Sequence, residues 1–281
     1  MITEPLNSAQ LALLIGAIAF FLGGAGLSVA QFNLNRRPVR IAAKAMDYWA
    51  IVFALTAVVW HAVGRTNGSW LPLEDNFETL AVLAVLLALF QMYMQAMRPI
   101  PGLDWFLLPI VVLLLIAAAV FGRIKPSMVH PGGWWTWTHV VSSFAGAAAF
   151  AVAAAVGCVY LLLSARLRKK HAMPAQNLGS LERLERVSEA AVWLGFALLT
   201  LGMITGLIRV LHDGPNTGLG SHWMRSPKVI LATCVWLVYA LALHTPMNTV
   251  VRGRRSAVLS IVGFVLMFGT LIAVQFMPKG Q

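Results

Sequence analysis

Eight uncharged or nearly uncharged runs, each long enough to cross a hydrocarbon core about 30 Å thick, follow one another along this chain of 281 residues. They are Ala9 to Val29, Ala45 to Val63, Phe77 to Met97, Leu103 to Gly122, His139 to Ser164, Ala190 to Leu211, Lys228 to His244 and Ala257 to Met277. A bilayer offers no water to backbone N–H and C=O groups, so a spanning segment must be a helix or part of a closed barrel. The runs are apolar on every face and lack the period-two alternation of barrel strands, which selects helices. Composition agrees: 59% of residues are hydrophobic and 11% charged, where a soluble domain carries about 25% charged. We therefore expect an all-α polytopic integral membrane protein of about eight transmembrane helices. Residues 1–281 form a single transmembrane domain whose first partner is the lipid bilayer.

The net charge of +11 suggests nucleic acid only until the basic residues are placed. Arg36, Arg37, Arg40 and Lys44 follow the first run, and Arg98 follows the third. Arg166, Arg168, Lys169, Lys170, Arg183 and Arg186 follow the fifth, and Arg252, Arg254 and Arg255 the seventh. Fourteen of the 21 Lys and Arg thus occupy alternate connectors, which reports topology rather than a nucleic-acid surface. By the positive-inside rule those connectors are cytoplasmic. The expectation is a multi-pass protein of a bacterial-type inner membrane with both termini extracytoplasmic. Met1 to Pro5 carry a Glu and no basic residue, unlike the n-region of a signal peptide.

Several function classes find no residues to carry them. Cys158 and Cys234 lie within apolar runs and outside any C-x-x-C pair, so they are expected as buried packing thiols. Asp47, Glu78, Asp104, Glu189 and Arg209 fall near predicted helix ends, within reach of headgroups or loop partners. A pump or proton-coupled transporter is disfavoured on that ground. No phosphate-cradling loop, H-E-x-x-H or nucleophile elbow occurs. Gly202 and Gly206 form a Gly-x-x-x-Gly that lets helices approach, a packing feature.

Trp134-Trp135-Thr136-Trp137-Thr138-His139 sets three indoles and an imidazole at the mouth of the fifth run. Flat indole faces and a metal-seeking nitrogen suit a large planar ligand containing iron, for which haem is the candidate. Tryptophans also gather at membrane interfaces for their own amphipathic reasons. Under the topology above, His61, His130, His139, His212 and His222 lie towards the outer face and His171 and His244 towards the inner. Taken singly, His61 also reads as a packing residue and His130, His212 and His222 as ordinary loop residues.

A family resemblance runs along nearly the whole chain. Pro72 to Leu80 resembles a P-L-x-N-x-Y-E-x-L segment, Trp135 to Ser143 a W-x-x-x-H-V-x-x-S, and Leu181 to Gly206 an L-x-x-L-x-x-R, G-F, L-T-L-G series. Ser221 to Thr245, with Trp223, Pro227-Lys228, Trp236, Tyr239 and Leu243-His244-Thr245, resembles a W-x-W-D-P-K-x-x-W and L-H-x-R region. These four, in this order, are similar to the cytochrome c assembly proteins of the CcsA, CcmC and HemX-like type. The resemblance implies a membrane protein that receives or presents haem for attachment to cytochromes c. It also implies other assembly proteins, or respiratory or photosynthetic membrane proteins, as partners. The implied cofactor-binding residues are Trp134, Trp135, Trp137, Trp223, His139 and His244; His61, placed at the outer end of the second run, is a further candidate, with His139 and His61 as the expected metal ligands. His139 matches the family's outer histidine and His244 its histidine within the membrane.

The pattern also departs from the family. Arg225-Ser226-Pro227-Lys228-Val229 stands where the family reads W-D-P-K-E, Pro246 replaces an arginine, and no H-S-Y-G-like tail occurs. A reduced haem-handling or assembly factor fits better than a complete haem lyase. Arg225, Arg209 or Arg65 offer partners for haem propionates. The other reading is a haem-free structural or regulatory subunit that kept the fold. Since His139 opens one span on the outer side and His244 closes another on the inner, one iron is not expected to use both. His61, His212 or His222 is then the partner of His139, with His61 preferred because a helix holds it. The ligand cavity is expected on the outer face, among Pro72 to Glu78, Trp134 to His139 and Gly214 to Ser226.

Overall fold

The computed structural model describes residues 7–34, 37–64, 76–97, 100, 102–121, 134–168, 181–217, 227–244 and 249–276. Among them are eight α-helices: α1 Ser8–Leu34, α2 Arg37–Gly64, α3 Asn76–Met97, α4 Asp104–Phe121, α5 Trp134–Arg168, α6 Leu181–Thr217, α7 Pro227–Leu243 and α8 Thr249–Phe276. Each of the eight apolar runs lies largely within one of them. α1, α2, α3, α5 and α6 are long and apolar enough to cross a membrane, and α4 and α7 hold shorter apolar stretches. The protein is all-α and crosses the membrane several times. α5 begins at Trp134 and α6 at Leu181, so both extend beyond their apolar runs.

The helices fall into two compact units, Met1–His130 with α1 to α4 and Pro131–Gln281 with α5 to α8. In the first unit each helix packs on its sequence neighbour, and α1 closes the ring on α4. α1 and α2 run antiparallel, since Gly16 meets Phe53 while Gly23 meets Met46. Between α3 and α4, Gly102 takes φ +84, a conformation that glycine adopts without penalty. In the same unit two acidic residues near predicted helix ends do not reach toward headgroups. Asp47 is 5% exposed and Glu78 0%, because the faces that carry them point into the unit rather than toward headgroups.

The second unit repeats the ring: α5 on α6, α6 on α7, α7 on α8, and α8 back on α5. Its centre is Phe150 of α5, fully buried and stacked on the equally buried Tyr239 of α7, with ring centroids 3.4 Å apart and planes 7° from parallel. The Tyr239 hydroxyl donates to the Ser260 carbonyl of α8 at 3.3 Å, and Trp236 Nε1 donates to Thr200 Oγ1 of α6 at 2.9 Å. Two aromatic residues one turn apart on α7 therefore join all four helices. Lipid tails are as apolar as the helix surfaces, so close packing and hydrogen bonds of this kind hold such a unit together. Both cysteines are free, as expected, but Cys234 is exposed on α7 rather than buried.

Candidate functional site

His139 lies in the second turn of α5, half-buried against α6. Its Nδ1 is 2.6 Å from the carbonyl oxygen of Gly202. A carbonyl only accepts, so Nδ1 carries a proton; in the neutral form of the ring the lone pair is then on Nε2. The same carbonyl accepts from Thr205 Oγ1 at 3.1 Å, and Thr205 is itself buried. This contact depends on the two glycines of α6. A Cβ on Gly206 would stand 2.9 Å from the Cε1 and Nδ1 of His139, and one on Gly202 would stand 2.7 Å from Ser143 Oγ. Gly202 and Gly206 allow helix approach, as the sequence suggests, and also seat the histidine ring, a role that their sequence could not signal.

The indoles do not share one face. At 100° per residue, Trp135 sits about 40° from His139 around the helix, while Trp134 and Trp137 lie together on another side. Trp134 and Trp135 are exposed, 75% and 41%, and Trp137 is half-buried. Thr138 Oγ1 donates back to the Trp134 carbonyl one turn earlier at 3.0 Å, a local side-chain bond within the helix. Trp135 is therefore the indole in register with the imidazole.

The remaining candidates are distributed. His61, near the end of α2 in the first unit, is half-buried with its ring edge-on to Phe77 at 4.9 Å. His244 follows the last residue of α7, exposed, with Nδ1 donating to the Ala240 carbonyl at 2.7 Å. That contact caps the helix end, where the dipole also favours a histidine. Phe150 and Tyr239 mark a common level on α5 and α7, and His139 and His244 lie on opposite sides of it. The helix rise between them is about 24 Å. Trp223, His130 and His222 lie outside the described residues, as do most of the Pro72 to Glu78 and Gly214 to Ser226 segments. A cavity of about 300 Å³ opens at the end of the second unit away from His139, lined by Tyr160, Glu185, Glu189, Trp193, Leu243 and Gly253 among others.

The family model for cytochrome c assembly proteins matches residues 49–280, most of the chain. The CcsA cytochrome c biogenesis protein of Synechococcus sp. (strain JA-3-3Ab) is 24% identical, the match covering 98% of this chain and 92% of the relative. Those of Guillardia theta and Microcystis aeruginosa are 28% and 34% identical, over 52% and 42% of this chain. In these two the matched stretch spans only 52% and 35% of the relative. Among solved structures, the cytochrome c heme lyase CcmF is similar in fold, with a TM-score of 0.63 at 17% identity. All of this chain aligns with 48% of CcmF, so it spans about half of that protein. With the family model covering α3 to α8 and part of α2, and the helices arranged as in a solved relative, the chain belongs to the cytochrome c assembly protein family.

Proposed function

We propose that this chain binds haem through His139 and presents it for attachment to cytochromes c at the extracytoplasmic face of a bacterial-type inner membrane. One observation carries the reading: the 2.6 Å contact of His139 Nδ1 with the Gly202 carbonyl. A backbone acceptor on one ring nitrogen directs the other to a metal and holds the ring in one orientation, as is usual for a ligating histidine. The names of the relatives, cytochrome c biogenesis proteins and a heme lyase, support the same reading.

In this proposal Nε2 of His139 would hold the haem iron, and Trp135 would supply the indole face in register with it. Trp134, Trp137 and Trp223 extend the apolar platform. His61 is the preferred second ligand, with His212 and His222 as the other candidates, while His244 stays outside this site. Arg225, Arg209 and Arg65 are the candidates to pair with a haem propionate. Haem, when bound, supplies the iron and the group to be transferred, and the residues of this chain hold, orient and shelter it. Residues 1–281 act as one functional domain, with other assembly proteins receiving the product.

The haem-free alternative also has an observation in its favour, because the His139 to Gly202 bond ties α5 to α6 whether or not iron is present. An absorption spectrum of the purified protein separates the two. A Soret band is expected in the parent chain and in His139→Ala it is lost or strongly shifted, while His244→Ala keeps it. No Soret band in the parent after haem supplementation, or equal loss in both variants at equal yield, refutes the assignment.

A further inference from the structure

The first unit encloses a polar cluster to which all four of its helices contribute. Asp47 lies on α2 with a side chain 5% exposed, and Asp104 opens α4 as its charged neighbour. From α1, Ser28 donates its hydroxyl to Asp104 Oδ2 at 3.1 Å; from α3, Gln91 donates Nε2–H to Asp104 Oδ1 at 2.5 Å. Gln95, one turn along α3, donates a side-chain hydrogen bond to the Asp47 carboxylate. Gly24 of α1 leaves the space that the Asp47 carboxylate occupies, since a Cβ there would collide with it.

Two oxygens in this enclosure have no hydrogen-bond partner, Asp47 Oδ1 and the amide Oε1 of Gln91, whose side chain is 1% exposed. No described cation compensates them. Arg37, Arg40 and Lys44 are exposed on α2. α1 carries no charged residue, α4 none but Asp104, and α3 only Glu78, about 20 Å of helix rise from Gln91. Asp104 accepts from two neutral donors, whereas Asp47 has Gln95 as a neutral donor and its Oδ1 has none. A buried carboxylate in that condition needs one positive charge. The donors are all oxygen, which suits a hard cation and not a soft transition metal.

We propose that this cluster is a binding site for one small monovalent cation, a proton or a sodium ion, held at Asp47 beside Asp104 with Gln91 Oε1 as a neutral ligand. It is independent of the haem reading, and its test does not use haem absorption. Thermal unfolding of the full chain in lipid nanodiscs is followed by tryptophan fluorescence, in sodium chloride against choline chloride at equal ionic strength and at two pH values. For a sodium ion the melting temperature rises with sodium at fixed pH. For a proton it is indifferent to sodium, rises as pH falls, and an infrared band of a protonated carboxyl is present. Asp47→Asn removes whichever response the parent shows, because a neutral amide needs no compensation. Asp104→Asn serves as the second variant if Asp47→Asn does not accumulate, and it changes the size of the same response. A parent chain that responds to neither condition, or that responds just as Asp47→Asn does, overturns the proposal.

Discussion

At the scale of single residues, the role of a histidine nitrogen is decided by what the other nitrogen touches. His139 was visible as a candidate because it follows three tryptophans, but its tautomer was not, since the carbonyl that sets it belongs to Gly202 on another helix. The same distance in sequence hid the function of Gly206. Alanine there gains up to about 1 kcal/mol of helix propensity, yet its Cβ stands 2.9 Å from two ring atoms of His139, and a displaced ring forfeits a hydrogen bond of about 0.5–1.5 kcal/mol. The two effects nearly cancel in stability. Gly206→Ala is therefore expected to leave the melting temperature within a few degrees of the parent while shifting or weakening the Soret band. A large fall in melting temperature with an unchanged spectrum contradicts this account of the seat. Asp47 and Glu78 teach the complementary lesson: nearness to a helix end says little about exposure when the face they occupy points inward.

At the scale of elements, hydrophobicity marks the part of a helix that lies in lipid, not the helix itself. α6 starts nine residues before its apolar run, through Leu-Glu-Arg-Leu-Glu-Arg, where Glu182 and Arg186 pair at 2.5 Å one turn apart. Such an exposed pair adds only about 0.3–0.5 kcal/mol, but it continues a helix already nucleated. α5 likewise takes in Trp134 to Thr138, which moves the indoles from a loop onto a helix and separates them by register. The aromatic pair at the centre of the second unit gives a quantitative expectation. Phe→Ala in a core costs about 3–5 kcal/mol, and since apolar transfer contributes little between helices in lipid, Phe150→Ala is expected at the lower end of that range. Steric trapping or denaturant unfolding in bicelles measures it. A cost below 1 kcal/mol contradicts the central role assigned to the Phe150 and Tyr239 stack.

At the scale of the whole molecule, the family assignment and the alternation of basic connectors together define the topology to be tested. With α5 and α6 antiparallel, a reporter fused at Met173 is expected to read as cytoplasmic and one fused after Gln281 as extracytoplasmic. Both fusions on one side of the membrane overturn the eight-span topology, and the two readings exchanged overturn the outer location of His139. The sequence by itself determined that the chain is helical and in a membrane, because charge-free runs of that length admit no other economy of backbone hydrogen bonds. Ordered motifs such as Trp135 to Ser143 and Trp236 to His244 determined the family, since they need only the chain's own order to be read. Only the tertiary structure decided which partner each of those side chains meets. Trp236 and Tyr239 turn out to bind helices together, His244 to cap one, and Gly202, apparently inert, to orient His139. The reason is physical: a side chain's role depends on the partner within about 3 Å, and in a bundle that partner comes from another helix dozens of residues away.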